Sequence, residues 1–292
     1  LGTLSTIDRL NLLHEQTLLA QSGIISTAEL LPLLKAYANE TNESVWSIMS
    51  LAINELKRFV ETDDEAEKKL KVFVKDLSNS QYQRLGWTEK DGEDENDTKL
   101  RSLIISLSIY GENEDAKEIA SSLYQKYTIT ELDPELRTAI MAHAVRNKLD
   151  DAIVDKLLEA YKTTVNSELR DDIAAALTST KDIEVIERSS TLLKDTSFIR
   201  MQDFTHWFVW LLRNRFGRSF MWQWTQDEWD WISSTFKGDS HYDMFPRYIA
   251  GSLVTREQLN EFVSFFAKLK SEVALARNIT IGETDLTGKV EL

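Results

Sequence analysis

Apolar positions recur along most of this chain at a spacing of 3.6 residues, the period of a helix with one buried stripe. Leu4, Ile7, Leu10 and Leu13 are in helical phase at the very start. They predict a first helix from about Ser5 to Ala20, stopping near Gly23. Ser26-Thr27-Ala28-Glu29 is a capping box, so a second helix is expected to open there. Pro32 falls inside it and removes a backbone donor, which should kink or shorten the helix. Val45, Ile48, Met49, Ala52, Leu56 and Phe59 form one further stripe. After Asp63-Asp64, Ala66, Leu70, Phe73 and Leu77 form another. TEKDGEDEND, between Trp87 and Thr98, has no apolar period and is expected to be a solvated acidic loop, since the ligand spacing of a calcium-binding EF-hand is missing.

Beyond the loop the pattern repeats. Leu100-Arg101, Leu136-Arg137 and Leu169-Arg170 recur at spacings of 36 and 33 residues, followed at the same offset by Ile104, Ile140 and Ile173. Each opens a helix, a turn and a second helix; Asp133-Pro134 supplies an N-cap and an N1 proline for the middle unit. A period in the thirties built from helix pairs predicts an all-α superhelix of antiparallel pairs, HEAT- or armadillo-like. The recurring arginines are expected to pair with acids on neighbouring helices.

The densest apolar stretch is Phe198 to Trp231, which holds six of the eight tryptophans. Phe204, Phe208, Leu211 and Leu212 make one face, Gly217 marks a break, and Phe220, Trp224 and Trp231 continue the face. Trp222 and Trp229 cannot share it and must meet a second layer or another domain. Thr255-Arg256-Glu257-Gln258 is a capping box opening a helix with Leu259, Phe262, Phe265, Phe266 and Leu269. The end, from Ala274, is rich in β-prone residues and turn formers and reads as a trailing segment.

Composition narrows the function classes. With 34 basic and 48 acidic residues the net charge is −14, which argues against nucleic acid as a partner. No run of eighteen apolar residues is present, so no membrane partner is expected. The absence of cysteine removes disulfides, thiolate catalysis and cysteine-ligated zinc, and fits a reducing, cytoplasmic setting. Because the chain starts at Leu1 with helical phase already running, it is expected to be part of a longer protein.

The four histidines are His14, His143, His206 and His241. His14-Glu15 begins like the zinc motif H-E-x-x-H, but the second histidine position is Leu18. Asp203 and His206, three residues apart on one helix, could pair, with no nucleophile beside them. No catalytic residue and no metal ligand is therefore assigned. Two classes remain open: part of a larger enzyme, or an autonomous solenoid adaptor with a peptide- or protein-binding face. A stand-alone hydrolase using Asp203 and His206 is the weaker third reading.

NRFGRSFMWQWTQDEWDWI, from Asn214, resembles the N-P-x-G-R-x-x-x-W-x-W/F-x-x-x-x-W-x-W/L stretch near the end of the aminopeptidase N family. FPRYIAGSLVTREQLNEFVSFF, LRTAIMAHAVRN, the TSTKD turn and TIDRLNLLHEQTLLAQSGIISTAELLPLL resemble other elements of its C-terminal region, in the right order. The likeness covers essentially the whole chain and is nearest the bacterial alanyl/lysyl type. It implies one helical C-terminal domain over 1–292: opening helices to 87, helix-pair repeats over 98–195, and aromatic-rich closing helices and a tail over 198–292. It also implies that this domain walls and closes a substrate cavity over a zinc-bearing catalytic domain of the same polypeptide, absent from this chain, with peptides as substrates and no cofactor in the fragment itself. Arg213, Arg218 and Arg247 lie in the matched elements and become candidates for substrate or interdomain contact, because a guanidinium fork suits a carboxylate. The alternative is that they pair with Asp203, Asp227, Asp230 or Asp243. Asn214-Arg215-Phe216-Gly217 departs from the family's Asn-Pro before Gly-Arg.

Overall fold

The computed structural model describes residues 4–239 and 241–291. Sixteen α-helices and two short 3-10 turns make up the regular structure, with no strand among the described residues. The chain divides into two compact units, Leu1–Ala144 and Val145–Leu292.

The first unit holds α1 (Thr6–Gln21), α2 (Leu30–Ala36), α3 (Glu43–Phe59), α4 (Asp64–Leu85), α5 (Glu95–Tyr110), α6 (Glu114–Lys126) and α7 (Pro134–Asn147), the last crossing the division between units. The Ser26 capping box forms, but it opens a 3-10 turn at Thr27–Glu29. A seven-residue α2 follows, with Pro32 in its first turn, where its missing donor has no intrahelical partner to lose. The corner between α1 and α3 is tied by polar contacts. Arg9 Nε donates to Glu40 Oε2 at 2.7 Å, Tyr37 Oη to the Arg9 carbonyl at 2.9 Å, and Trp46 Nε1 to the Glu40 carbonyl at 2.8 Å.

Helix direction follows from paired contacts. Arg84 meets Asp97, the Ser78 and Ser108 hydroxyls hydrogen-bond at 3.3 Å, and Gly111 lies against the Lys75 backbone, so α4 and α5 are antiparallel. The Glu43 amide donates to Asn96 at 2.8 Å and the Lys57 ammonium sits 3.8 Å from the Tyr110 ring centre, so α3 and α5 are parallel. The acidic loop is less free than its composition suggests. Glu93 reaches back to Arg101 on α5, and both side chains are about nine-tenths buried or more.

The second unit holds α8 (Ile153–Thr163), α9 (Ser167–Thr178), α10 (Ile183–Leu192), α11 (Met201–Arg213), α12 (Arg218–Asp227), α13 (Trp229–Phe236), α14 (Phe245–Ser252), α15 (Arg256–Ala267) and α16 (Val273–Glu291). Here helix pairs stack like upon like. Asp171 faces His206 and Asn214 bonds to Thr178, so α9 and α11 run parallel. Ile186 abuts Gly217 and Lys194 pairs with Glu228 at 2.6 Å, so α10 and α12 run parallel as well.

Two of the three repeat arginines, Arg101 and Arg170, find other partners than expected. Arg101 pairs with the loop residue Glu93, and Arg170 Nε donates to the Tyr161 carbonyl at 3.3 Å, so neither is tied to an acid on a neighbouring helix by these bonds.

The expected trailing segment is instead a nineteen-residue helix, α16. Leu275, Asn278, Ile279, Gly282 and Leu286 are buried, a helical stripe that threonines and glycines obscure in the sequence. The reason is tertiary: at Gly282 a side chain would meet Ala250 Cβ at 3.0 Å and the Pro246 carbonyl at 3.1 Å, so α14 and α16 approach where no Cβ stands. The hydroxyls of Thr280, Thr284 and Thr287 bond carbonyls four residues back, at 3.0, 3.0 and 2.7 Å. Packing on one face overrides weak local propensity.

Candidate functional site

The aromatic stretch becomes α11, α12 and α13 with the loops between them. On α11, Phe204, Trp207, Phe208, Leu211 and Leu212 are buried, which makes its inner face a full apolar stripe. Phe204 lies 5.7 Å from Trp231 and Phe208 lies 6.4 Å from Trp224, so the single face expected across Gly217 exists. The second layer required by Trp222 and Trp229 is α15. Trp222 meets Phe265 edge-on at 5.6 Å, and Trp229 meets Phe265 and Phe266 edge-on at 5.6 and 5.3 Å. Such ring pairs add to simple area burial. Most of this aromatic excess is spent on packing within the unit.

A buried polar cluster pins α8 to α11. Tyr161 Oη donates to Asp203 at 3.4 Å and accepts from Trp207 Nε1 at 3.2 Å. Arg200, the N-cap residue of α11, grips Asp203 through two nitrogens at 2.6 and 3.0 Å. Burial pushes the Tyr161 hydroxyl up to about 12, with the Asp203 carboxylate adding to it and the Trp207 N–H opposing. The hydrogen bond to Asp203 holds the Arg200 guanidinium above its ordinary value.

Asp203 and His206 do not form a pair. The carboxylate turns inward to Arg200 and Tyr161, while His206 is exposed, stacks on Trp210 at 5.3 Å and faces Asp171 at 3.8 Å. The hydrolase reading built on that pair loses its geometry. His14 is exposed, His143 is buried and bonded to Ser121 at 3.0 Å, and His241 meets Asp239 at 3.0 Å. Among the described residues no group of three or more His, Cys, Asp or Glu could hold a metal ion, so these side chains do not fit a zinc centre.

The three candidate arginines separate. Arg218 is buried at the start of α12 and donates to the Arg213 carbonyl at 3.3 Å, closing the C-terminal end of α11. Arg213 and Arg247 are exposed, and their guanidinium groups make no side-chain hydrogen bond or ion pair among the described residues. Three of the four acids offered as partners are engaged elsewhere: Asp203 by Arg200 and Tyr161, Asp227 by Gln223 at 2.9 Å, and Asp243 by Asn278 at 3.3 Å. Arg213 shares the outer stripe of α11 with His206 and Trp210, at spacings of three and seven residues.

Asn214, which stands in the sequence only as part of the departure from Asn-Pro, holds the turn after α11. Its side-chain amide donates to the Thr178 carbonyl at 2.9 Å and the Thr180 carbonyl at 2.6 Å, and its Oδ1 accepts the Phe216 amide at 3.0 Å. The turn that the missing proline would have stiffened is therefore held by a side chain reaching the end of α9. An asparagine directly after a helix and before a glycine-containing turn was the signal available.

These features define an all-helical module with an aromatic core and two exposed, unpaired arginines beside it. A family model described as "ERAP1-like C-terminal domain" matches residues 1–283, and the chain belongs to that family. It is 32% identical over 99% of its length to aminopeptidase N of Lactobacillus helveticus and 30% identical over 99% to aminopeptidase N of Lactobacillus delbrueckii subsp. lactis. It is also 28% identical over 91% of its length to aminopeptidase 2 of Candida albicans. The chain spans only about a third of these relatives, 34% of the two bacterial proteins and 29% of the fungal one. No helix among the described residues is long and apolar enough to cross a membrane.

Proposed function

We propose that this chain is the non-catalytic C-terminal helical domain of a zinc-dependent aminopeptidase that removes N-terminal residues from peptides. The observation carrying this reading is the family match over nearly the whole chain, joined to relatives that are aminopeptidases about three times as long. In this reading the two compact units act together as one domain. The helix pairs belong to a HEAT- or armadillo-like superhelix, and the domain walls the substrate cavity and closes it over a catalytic domain of the same polypeptide. Zinc belongs to that catalytic domain, because the described side chains of this one do not fit the metal. A cytoplasmic setting is part of the reading and is favoured by the absence of cysteine.

Within the domain, Arg213 and Arg247 are the residues proposed to meet a peptide carboxylate or the catalytic domain. Both are exposed, and a guanidinium already committed to an acid would gain little from a second one. Arg218 serves the site indirectly, by fixing the turn that follows Arg213.

The chain alone, assayed with an aminoacyl anilide and added zinc, is expected to show no turnover. Zinc-dependent hydrolysis by the purified chain would overturn the proposal. In the full-length parent, Arg213→Ala and Arg247→Ala are expected to raise KM for peptides several-fold while leaving turnover of a single-residue anilide unchanged.

A further inference from the structure

The first and last helices of the chain treat their outer faces differently. α1 carries seven apolar residues, Ile7, Leu10, Leu12, Leu13, Leu18, Leu19 and Ala20, of which only Leu13 and Ala20 are buried. Ile7 is 71% exposed and Leu18 is 46% exposed. At roughly 100° per residue they stand about 20° apart around the helix, with exposed Asn11 and His14 on the same stripe. Ile24, 69% exposed, follows just past the end of α1. α16 does the opposite. Leu275, Ile279 and Leu286 are buried, and its exposed positions include Arg277, Thr280, Thr284 and Asp285.

A helix that ends a stack needs a polar outer face if nothing lies beyond it. α16 has one. α1 turns Ile7 and Leu18 outward along one line, the pattern of a surface that has lost its neighbour. Isolated exposed leucines are ordinary, but here most of the apolar residues of one helix are under-buried together.

We propose that the flank of α1 formed by Ile7, His14 and Leu18, with Ile24, is the docking surface for the remainder of the aminopeptidase polypeptide. This rests on the function proposed above. The partner face is apolar and carries an acceptor opposite His14. The length of chain outside this structure supports that occupant: the matched relatives contain about twice as much sequence again beyond the segment they share with this chain.

Hydrogen exchange on the full-length parent and on this chain alone tests the proposal. Amides of α1 are expected to exchange at least about tenfold more slowly in the parent, with α16 unchanged between the two. Ile7→Asp combined with Leu18→Asp is expected to lower the melting temperature of the parent by several degrees and that of the isolated chain hardly at all. Val273→Asp, at a lone position 93% exposed, should alter neither. Equal α1 exchange in both proteins would overturn the assignment. So would concentration-dependent protection of α1 in the isolated chain, which would make a second copy the occupant. Peptide turnover by the parent judges the aminopeptidase reading separately, so a parent that is active but leaves α1 unprotected refutes the docking surface alone.

Discussion

Replacing Asn214 by alanine removes two hydrogen bonds to the end of α9 and one inside its own turn. The residues whose carbonyls lose their donors, Thr178 and Thr180, are 3% and 1% exposed, so water is poorly placed to take over. A net hydrogen bond contributes about 0.5–1.5 kcal/mol, and a buried group left without a partner costs about 1–3 kcal/mol. Two such carbonyls, partly relieved by relaxation of the turn, give an expected loss of roughly 2–4 kcal/mol. For a unit of this size that corresponds to a melting temperature lower by about 5–12 °C. Tryptophan emission is a suitable probe, since Trp207, Trp210, Trp222, Trp224, Trp229 and Trp231 all lie in the second unit. Asn214→Asp keeps the size and the acceptor but sets a carboxylate against the two carbonyls, and it is expected to be at least as damaging as alanine. An unfolding free energy from urea titration of Asn214→Ala within about 0.5 kcal/mol of the unsubstituted protein would refute the assignment of Asn214 as the link between α9 and α11.

Three other outcomes can be measured on the same protein. Gly111→Ala places a Cβ 2.7 Å from the Lys75 backbone nitrogen, and at φ −68° glycine is not needed for its conformation. Overpacking should therefore outweigh the entropic gain and cost about 1–3 kcal/mol in a urea titration; a neutral or stabilised variant would show that α4 gives way freely. The Arg84 hydrogen bond holds the Asp97 carboxyl below the usual carboxylate range. Its contribution is thus complete above about pH 4–5 and is lost as pH falls through the lowered folded value, so the stability gap between the protein and Asp97→Asn should narrow under acid conditions. Burial raises Tyr82 and Tyr161 to about 12, so stability is kept below pH 10 and lost as pH rises towards 12. Absorbance titration should find Tyr82 and Tyr161 among the late tyrosines, beside Tyr37 and Tyr242, which burial also raises, and Tyr161→Phe should remove one of them.

Much of the fold was legible because the local signals were strong. The Thr255 capping box opens α15 as expected, with Gln258 bonding back to the Thr255 amide at 3.2 Å. The demand of Trp222 and Trp229 for a second layer was a correct deduction from helical phase, although the sequence could not say that α15 supplies it. α16 was hidden because its stripe depends on Gly282, whose value as a place of close approach exists only once α14 is there. The candidate site was less legible. Arg213 and Arg218 are five residues apart in one motif, yet one is exposed and the other buried. Which way each points depends on how the chain turns between α11 and α12, and that turn is set by Asn214 reaching α9, more than thirty residues back. Asp203 and His206 failed for the same reason: helical spacing allowed their contact, but Arg200 and Tyr161 compete for the carboxylate from positions that phase alone cannot weigh.

The packing of α16 on α14 and α15 bears on the order in which the protein is made. α16 covers Ala250 and Phe262, residues synthesised before it that are buried in the finished unit. Until Val273–Glu291 emerges, the apolar flank of α14 has no cover, and the second unit cannot complete its core. The first unit, made entirely beforehand, is free to settle as it appears. Completion of the second unit's core is therefore tied to synthesis of α16, and a ribosome stalled before those nineteen residues are made would hold out a second unit that is open and aggregation-prone.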